Sequence, residues 1–235
     1  MTHHPLSPFA RQPLNRRDVL KLTAGVTALA IAASWGLAQP ALAQRKKAGP
    51  AEIDPADLMK PGPLPDLILG SANAPITVVE YASMTCGHCA AFHTKVFPAL
   101  KEKYVDTGKV RFVMREFPLD NLAAAASMLA RCAGDGKTFP LISALFAKQD
   151  EWAFVRGDPK PELLKLAKQA GFTQETFEKC LTDQKLLEDI SAIRSRAADT
   201  FGVNSTPTFF INGKKLNAGL TLEDFDKAFS SILKS

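Results

Sequence analysis

The chain has 235 residues, 29 Lys and Arg against 24 Asp and Glu, and a formal net charge of +5. Arg11, Arg16, Arg17 and Lys21 against Asp18 place +3 of that charge in the first 43 residues, so the remaining 192 carry about +2 and give no electrostatic case for nucleic acid. A chain of that remaining length buries one core, or one core with an inserted subdomain.

The N-terminus has three parts in order: the basic segment Asn15-Arg16-Arg17-Asp18-Val19-Leu20-Lys21, an uncharged run over 22–38, and Ala41-Leu42-Ala43. These are the parts of an export signal, with cleavage expected after Ala43. The paired arginines resemble the twin-arginine class. Val19 stands where that class has Phe, so the general secretory route stays open. A retained membrane anchor is the alternative, weakened by Thr23, Gly25, Thr27, Ser34 and Gly36 within the run. Residues 44–65 hold Pro50, Pro55, Pro61, Pro63 and Pro65 and read as a flexible tether, with at most a short turn at Asp57-Leu58-Met59.

Strands are expected at 66–69, 76–81 and 110–117, the second with the near-continuous apolar character of a buried strand. Between the last two lies a helix with Cys89, Phe92, Val96, Leu100 and Tyr104 inward. Pro98 should kink it by removing the bond to Thr94. This is a βαβ unit. Residues 119–198 turn to helical patterning throughout, including one helix framed by Pro161 and Gly171. Sheet returns at 208–211, turns at Asn212-Gly213 and comes back over 214–216. A last helix starts at a capping box of Thr221 and Asp224, with Leu222, Phe225, Phe229 and Leu233 on one face. The fold class is therefore α/β, with sheet-bearing segments 66–118 and 199–235 around an all-helical insert at 119–198.

All four cysteines follow residue 43, an even number in a chain addressed to an oxidising compartment. Cys86-Gly87-His88-Cys89 sits between the buried strand and the helix. Two thiols so spaced at a helix start can close a disulfide, and the unpaired N–H groups there favour a thiolate on the first sulfur. Cys86 is then the nucleophile and Cys89, a turn further in, the resolving thiol. A zinc or copper site also uses such pairs, but a closed tetrahedral set has no obvious completion here. A pair packed in an ordinary core is the plainest alternative. Cys132 and Cys180 lie outside any C-x-x-C context. A structural disulfide between two insert helices is expected, with two buried free thiols as the alternative.

Further on, Asn204-Ser205-Thr206-Pro207-Thr208 puts a proline at a strand start. The order of these parts resembles the thioredoxin-like fold. More specifically, Glu80-Tyr-Ala-Ser-Met-Thr-Cys-Gly-His-Cys89 and Gly202-Val-Asn-Ser-Thr-Pro-Thr-Phe-Phe-Ile-Asn-Gly213, with the insert between them, resemble the bacterial DsbA-type thiol:disulfide interchange proteins over about 66–235.

That resemblance implies a cis bond between Thr206 and Pro207, with Thr206 pairing an extended substrate peptide. It implies that Glu80 occupies the place of a buried acid able to shuttle the Cys89 proton. A His88 ring beside the sulfurs would lower the thiolate's energy, whereas His93 is expected as a surface histidine. Docking is expected near Met84, Thr206 and the insert surface. The implied activity is that of a periplasmic protein-disulfide oxidase, monomeric and without cofactor, acting on reduced, folding exported proteins. A membrane quinone-linked, DsbB-like partner would reoxidise it. Gly87 departs from the proline of typical DsbA proteins and gives the Cys-Gly-His-Cys of protein disulfide isomerases. Reference potentials of about −120 mV for DsbA and about −180 mV for the isomerase then suggest a milder oxidant. A reductase or isomerase on the same fold is the main alternative, and a metal-binding protein the other.

Overall fold

A computed structural model describes residues 50–134, 136–217 and 219–234. The expected export signal and its cleavage point at Ala43 lie outside these residues. The apolar run forms the sheet's centre: β2 (Ile76–Ala82) pairs in parallel with β3 (Val110–Glu116) and antiparallel with β4 (Thr208–Ile211). At one edge β1 (Leu67–Leu69) runs antiparallel to β3, and at the other β5 (Lys214–Lys215) runs antiparallel to β4, so the order is β1-β3-β2-β4-β5. Side chains alternate across a strand. Ile76, Val78 and Ala82 therefore enter one core, and Val79 and Tyr81 enter another on the opposite face.

The βαβ crossover runs through α2 (Gly87–Lys95) and α3 (Phe97–Leu100) to one π-turn at Lys101–Val105. Pro98 falls within the first turn of α3, and Val96 between the two helices sits at φ −114°, ψ −47°. The break falls where a proline without an N–H cannot continue the α2 ladder. After β3 come α4 (Asn121–Cys132), α5 (Thr138–Ala147), α6 (Gln149–Trp152), α7 (Lys160–Gln169), α8 (Gln174–Leu181) and α9 (Gln184–Phe201). Most of this block packs on the α2 face of the sheet. Helix α9 serves both faces: Ile190 joins the core on the α2 side, whereas Ala197 and Phe201 join Val79, Tyr81, Val113 and Phe210 beneath the opposite face. The 119–198 block thus supplies part of the sheet's second layer as well as an insert. Helix α10 (Leu222–Leu233) closes the fold, capped by reciprocal Thr221 and Asp224 bonds and burying Phe225 and Phe229.

Residues 50–65 differ from a flexible tether over most of their length. Helix α1 (Pro55–Leu58), capped by the Asp54 carboxylate, buries Leu58 to 1% exposure. Ahead of it the chain pairs with the β4–β5 turn, Ile53 N–H donating to Gly213 O at 2.9 Å and Lys215 N–H to Ala51 O at 2.9 Å. The proline count misleads because a proline-rich chain, though poor in N–H donors, keeps its carbonyls. Arginines collect those carbonyls: Arg196 donates to the oxygens of Asp57 and Lys60, Arg115 to that of Leu58 and Arg131 to that of Pro65. Gly213 is required twice. Its φ is +87°, and a Cβ there would stand 2.1 Å from Ile53 O.

Arg115 is the strongest of these ties. Only 5% exposed, it makes a two-pronged pair with Asp66, at 2.7 and 2.9 Å, and also donates to the Tyr81 hydroxyl. Removing the arginine leaves a half-buried carboxylate uncompensated and takes the donor from the Tyr81 hydroxyl and Leu58 carbonyl. Arg115→Met should therefore lower the unfolding free energy by about 3 kcal/mol or more, read as an earlier urea midpoint.

Candidate active site

Strand β2 delivers the site. It ends at Ala82, and Ser83-Met84-Thr85 turn the chain so that Cys86 becomes the N-cap of α2, with extended backbone (φ −83°, ψ 116°) and no side-chain capping bond. Its N–H donates to Ser83 O at 3.1 Å, and its carbonyl accepts from Ala90 N–H at 3.0 Å. The turn is pinned by Thr85, whose hydroxyl donates to Asp120 Oδ2 at 2.7 Å, and by Leu119 N–H on the Ser83 hydroxyl at 3.3 Å.

Gln149 of α6, 5% exposed, reaches in from the insert. Its amide donates both to Met84 O at 2.8 Å and to Cys86 O at 3.1 Å. Sequence reasoning missed this residue; a lone glutamine 63 positions away gives no pattern to find. Met84 itself is 2% exposed and offers no docking surface, contrary to expectation. The exposed apolar side chain beside this turn is Leu119, at 51%.

The two sulfurs occupy unlike surroundings. Cys86 Sγ lies 3.2 Å from the carbonyl oxygen of Thr206, the residue whose bond to Pro207 is cis. The Cys86 pKa is lowered to about 5. The main cause is donation from the Cys89 thiol, opposed by partial burial and reinforced by the Thr206 side chain and the N–H groups of Cys89 and His88. The Thr206 hydroxyl is buried and otherwise without a hydrogen-bond partner, so it is free to serve the anion. Cys89 is fully buried and its pKa is pushed strongly up, first by burial, then by its bond to Cys86 and by the charge of Glu80. Cys86 is thus the thiolate and Cys89 the thiol.

His88 is exposed and its ring makes no hydrogen bond among the described residues. The contact it gives the sulfur is its backbone N–H, not the ring the sequence suggested. At Gly87 a Cβ would meet nothing nearer than Gln149 Oε1 at 4.0 Å, so packing does not force glycine there.

Glu80, 0% exposed, lies on the α2 face of β2. Its Oε2 is 2.8 Å from His93 Nε2, and its Oε1 has no partner. His93 is therefore misplaced by the sequence reading: it is 8% exposed and stacked on Phe146 at 4.4 Å. The position follows from its spacing, one turn after Cys89 on the same inward face, a face already marked by Phe92.

Away from the site, the sulfurs of Cys132 and Cys180 are bonded, joining α4 to α8 across a sequence separation of 48. Among the described residues no cluster of three or more His, Cys, Asp or Glu side chains is arranged to hold a metal ion, and no helix is long and apolar enough to cross a membrane.

This fold and site define a class. The thioredoxin family model matches residues 64–230, and the chain belongs to that family. Within it the chain is of the DsbA type. It is 34% identical to Wolbachia pipientis alpha-DsbA1, with a TM-score of 0.70 over 77% of this chain and 96% of that one. It is also 40% identical over 149 residues to a Rickettsia bellii protein named a protein-disulfide oxidoreductase, covering 63% of this chain and 57% of that one. The chain spans between 53% and 61% of the length of such Rickettsia relatives. Bacillus subtilis BdbD, 22% identical with a TM-score of 0.63 over 72% of this chain and 94% of that one, shares the fold.

The lowered Cys86 pKa has a direct reading. Alkylation of the reduced protein by iodoacetamide should follow a single ionisation with its midpoint at about pH 5, all label falling on Cys86. Equal labelling of Cys89, or a midpoint near the ordinary thiol value of about 8.5, would contradict the assignment.

Proposed function

We propose that the protein is an exported thiol:disulfide oxidoreductase that works as an oxidase, passing the Cys86–Cys89 disulfide to reduced substrate proteins. The observation that carries this reading is the unequal pair of sulfurs, with Cys86 lowered to about 5 and Cys89 raised. A stabilised thiolate is a good leaving group, and it stabilises the reduced form against the disulfide.

The cycle is as follows. A substrate thiolate attacks Cys86 Sγ, the bond to Cys89 breaks, and a mixed disulfide forms at Cys86. Cys89 leaves with the electron pair and takes up a proton, for which Glu80 is the donor. The second substrate thiolate then attacks the substrate sulfur of the mixed disulfide, and Cys86 departs as thiolate. Thr206 and Pro207 hold the substrate segment by main-chain pairing beside Cys86, and the exposed Leu119 offers it apolar contact. His88 acts through its N–H on the Cys86 anion, and Cys132–Cys180 braces the insert. Folding exported proteins are the substrates, a quinone-linked membrane protein restores the disulfide, and the periplasm is the compartment.

The purified protein should oxidise a reduced dithiol peptide in a glutathione buffer. Cys86→Ser should abolish turnover, and Cys89→Ser should accumulate a mixed disulfide at Cys86 detectable by mass. A reduction potential near thioredoxin's, about −270 mV, would overturn the oxidase direction in favour of a reductase.

A further inference from the structure

Glu80 is a fully buried carboxyl whose charge acts on Cys89, and it is reached by a side chain that the proposed cycle leaves unused. The side chains of Glu80 and His93 are 0% and 2% exposed. A carboxyl withdrawn from water needs a partner when it ionises. The bond between Oε2 and His93 Nε2, at 2.8 Å, is its one hydrogen bond.

The histidine ring is fixed by its surroundings. It stacks on Phe146 at 4.4 Å and 16° between planes, and the rings of Phe92, Phe97 and Phe112 stand around it at 5.3, 5.1 and 6.5 Å. These four rings carry no charge. Beside Glu80 the neighbouring strands place Met114 on β3 and Phe209 on β4, again without an ionisable group. From α2 come Cys89 and His93, one turn apart on the same face. Among the described residues, the groups around the carboxyl able to gain or lose a proton are therefore Cys89 and His93.

We propose that His93 is a positioning residue of the redox centre: by holding Glu80 Oε2 it leaves Oε1, which is buried without a hydrogen-bond partner, to give and take back the Cys89 proton. This rests on the oxidoreductase reading. On opening of the disulfide, the Cys86–Cys89 bond breaks, Cys89 leaves with the electron pair and receives the proton from Oε1. The carboxylate that remains keeps the hydrogen bond from His93 Nε2–H. On reclosure Oε1 accepts the proton as Cys89 Sγ attacks the sulfur of Cys86 and the group bound to Cys86 departs as a thiolate.

The test separates the two sulfurs. Reduced full-length protein is mixed with an aromatic disulfide whose thiolate is coloured. The first release reports attack by Cys86, and the second reports closure by Cys89. His93→Phe keeps the stacked ring and removes the donor. It should slow the second release about tenfold and leave the first within about twofold. His93→Gln, which retains an N–H donor, should recover most of the rate. In a Glu80→Gln background His93→Phe should add less than about a twofold effect, since coupled sites are not additive.

The proposal is overturned if His93→Phe leaves the second release unchanged, slows both releases alike, or acts equally in the Glu80→Gln background. Should that variant fail to fold, His93→Asn, too short to reach Oε2, carries the same comparison. Absence of a second release from the unsubstituted protein would instead overturn the oxidoreductase reading itself.

Discussion

The interaction between the Cys86 and Cys89 sulfurs, which lowers the pKa of the first and raises that of the second, organises the whole site. Two residues separate the thiols, yet one sits at the start of α2 and the other in the core. In the reduced protein the buried thiol is a donor and the outer sulfur its acceptor, so the two ionisations are driven apart by one contact. Burial acts on Cys89 in the same direction, since an anion in the core has no water to solvate it. Each sulfur thereby has its own role before any substrate arrives.

Maintaining that contact requires parts of the chain that are remote in sequence. Strand β2 sets the height of Cys86, and its central place between β3 and β4 makes that height hard to change. The insert contributes Gln149, which fastens the carbonyls on either side of Thr85. The segment before β4 contributes Thr206. These three supports meet at the start of one helix, which gives the 120-residue separation between Cys86 and Thr206 a purpose. The turn is held mostly by hydrogen bonds to backbone, which place a loop without filling the space a substrate would use.

Much of this was legible in the sequence because it has a period or a spacing. The buried strand, the Pro98 break, the Asn212-Gly213 turn and the capping box at Thr221 are local signals, and local signals survive without tertiary knowledge. The cysteine pair was legible for the same reason. What escaped was decided at a distance. His93 was read as a surface residue by its type, although its place one turn beyond Cys89 put it on the buried face. Gln149 and the arginines that hold residues 57–65 have no local signature, since their partners are backbone carbonyls from other segments. Residues 50–65 looked unstructured because proline removes donors, but the other half of the backbone's hydrogen-bonding capacity remained for Arg115, Arg131 and Arg196.

What the lowered Cys86 pKa does for the reduced form follows from linkage. A group whose pKa is depressed in the folded protein adds stability above its unfolded value and loses it as pH falls through the folded one. For Cys86 that window runs from the ordinary thiol value of about 8.5 down to about 5. The gain belongs to the reduced protein alone, because a disulfide has no thiolate to stabilise. At neutral pH the reduced form has already collected part of this stabilisation, which on the proposed oxidase reading favours passage of electrons from a substrate dithiol into the Cys86–Cys89 pair. Cys89 opposes the same ionisation in itself, so the two sulfurs of the reduced site carry one negative charge between them, not two. The second proton must then be stored and returned within the core, the task that the proposed cycle gives to the buried carboxyl of Glu80 on the central strand.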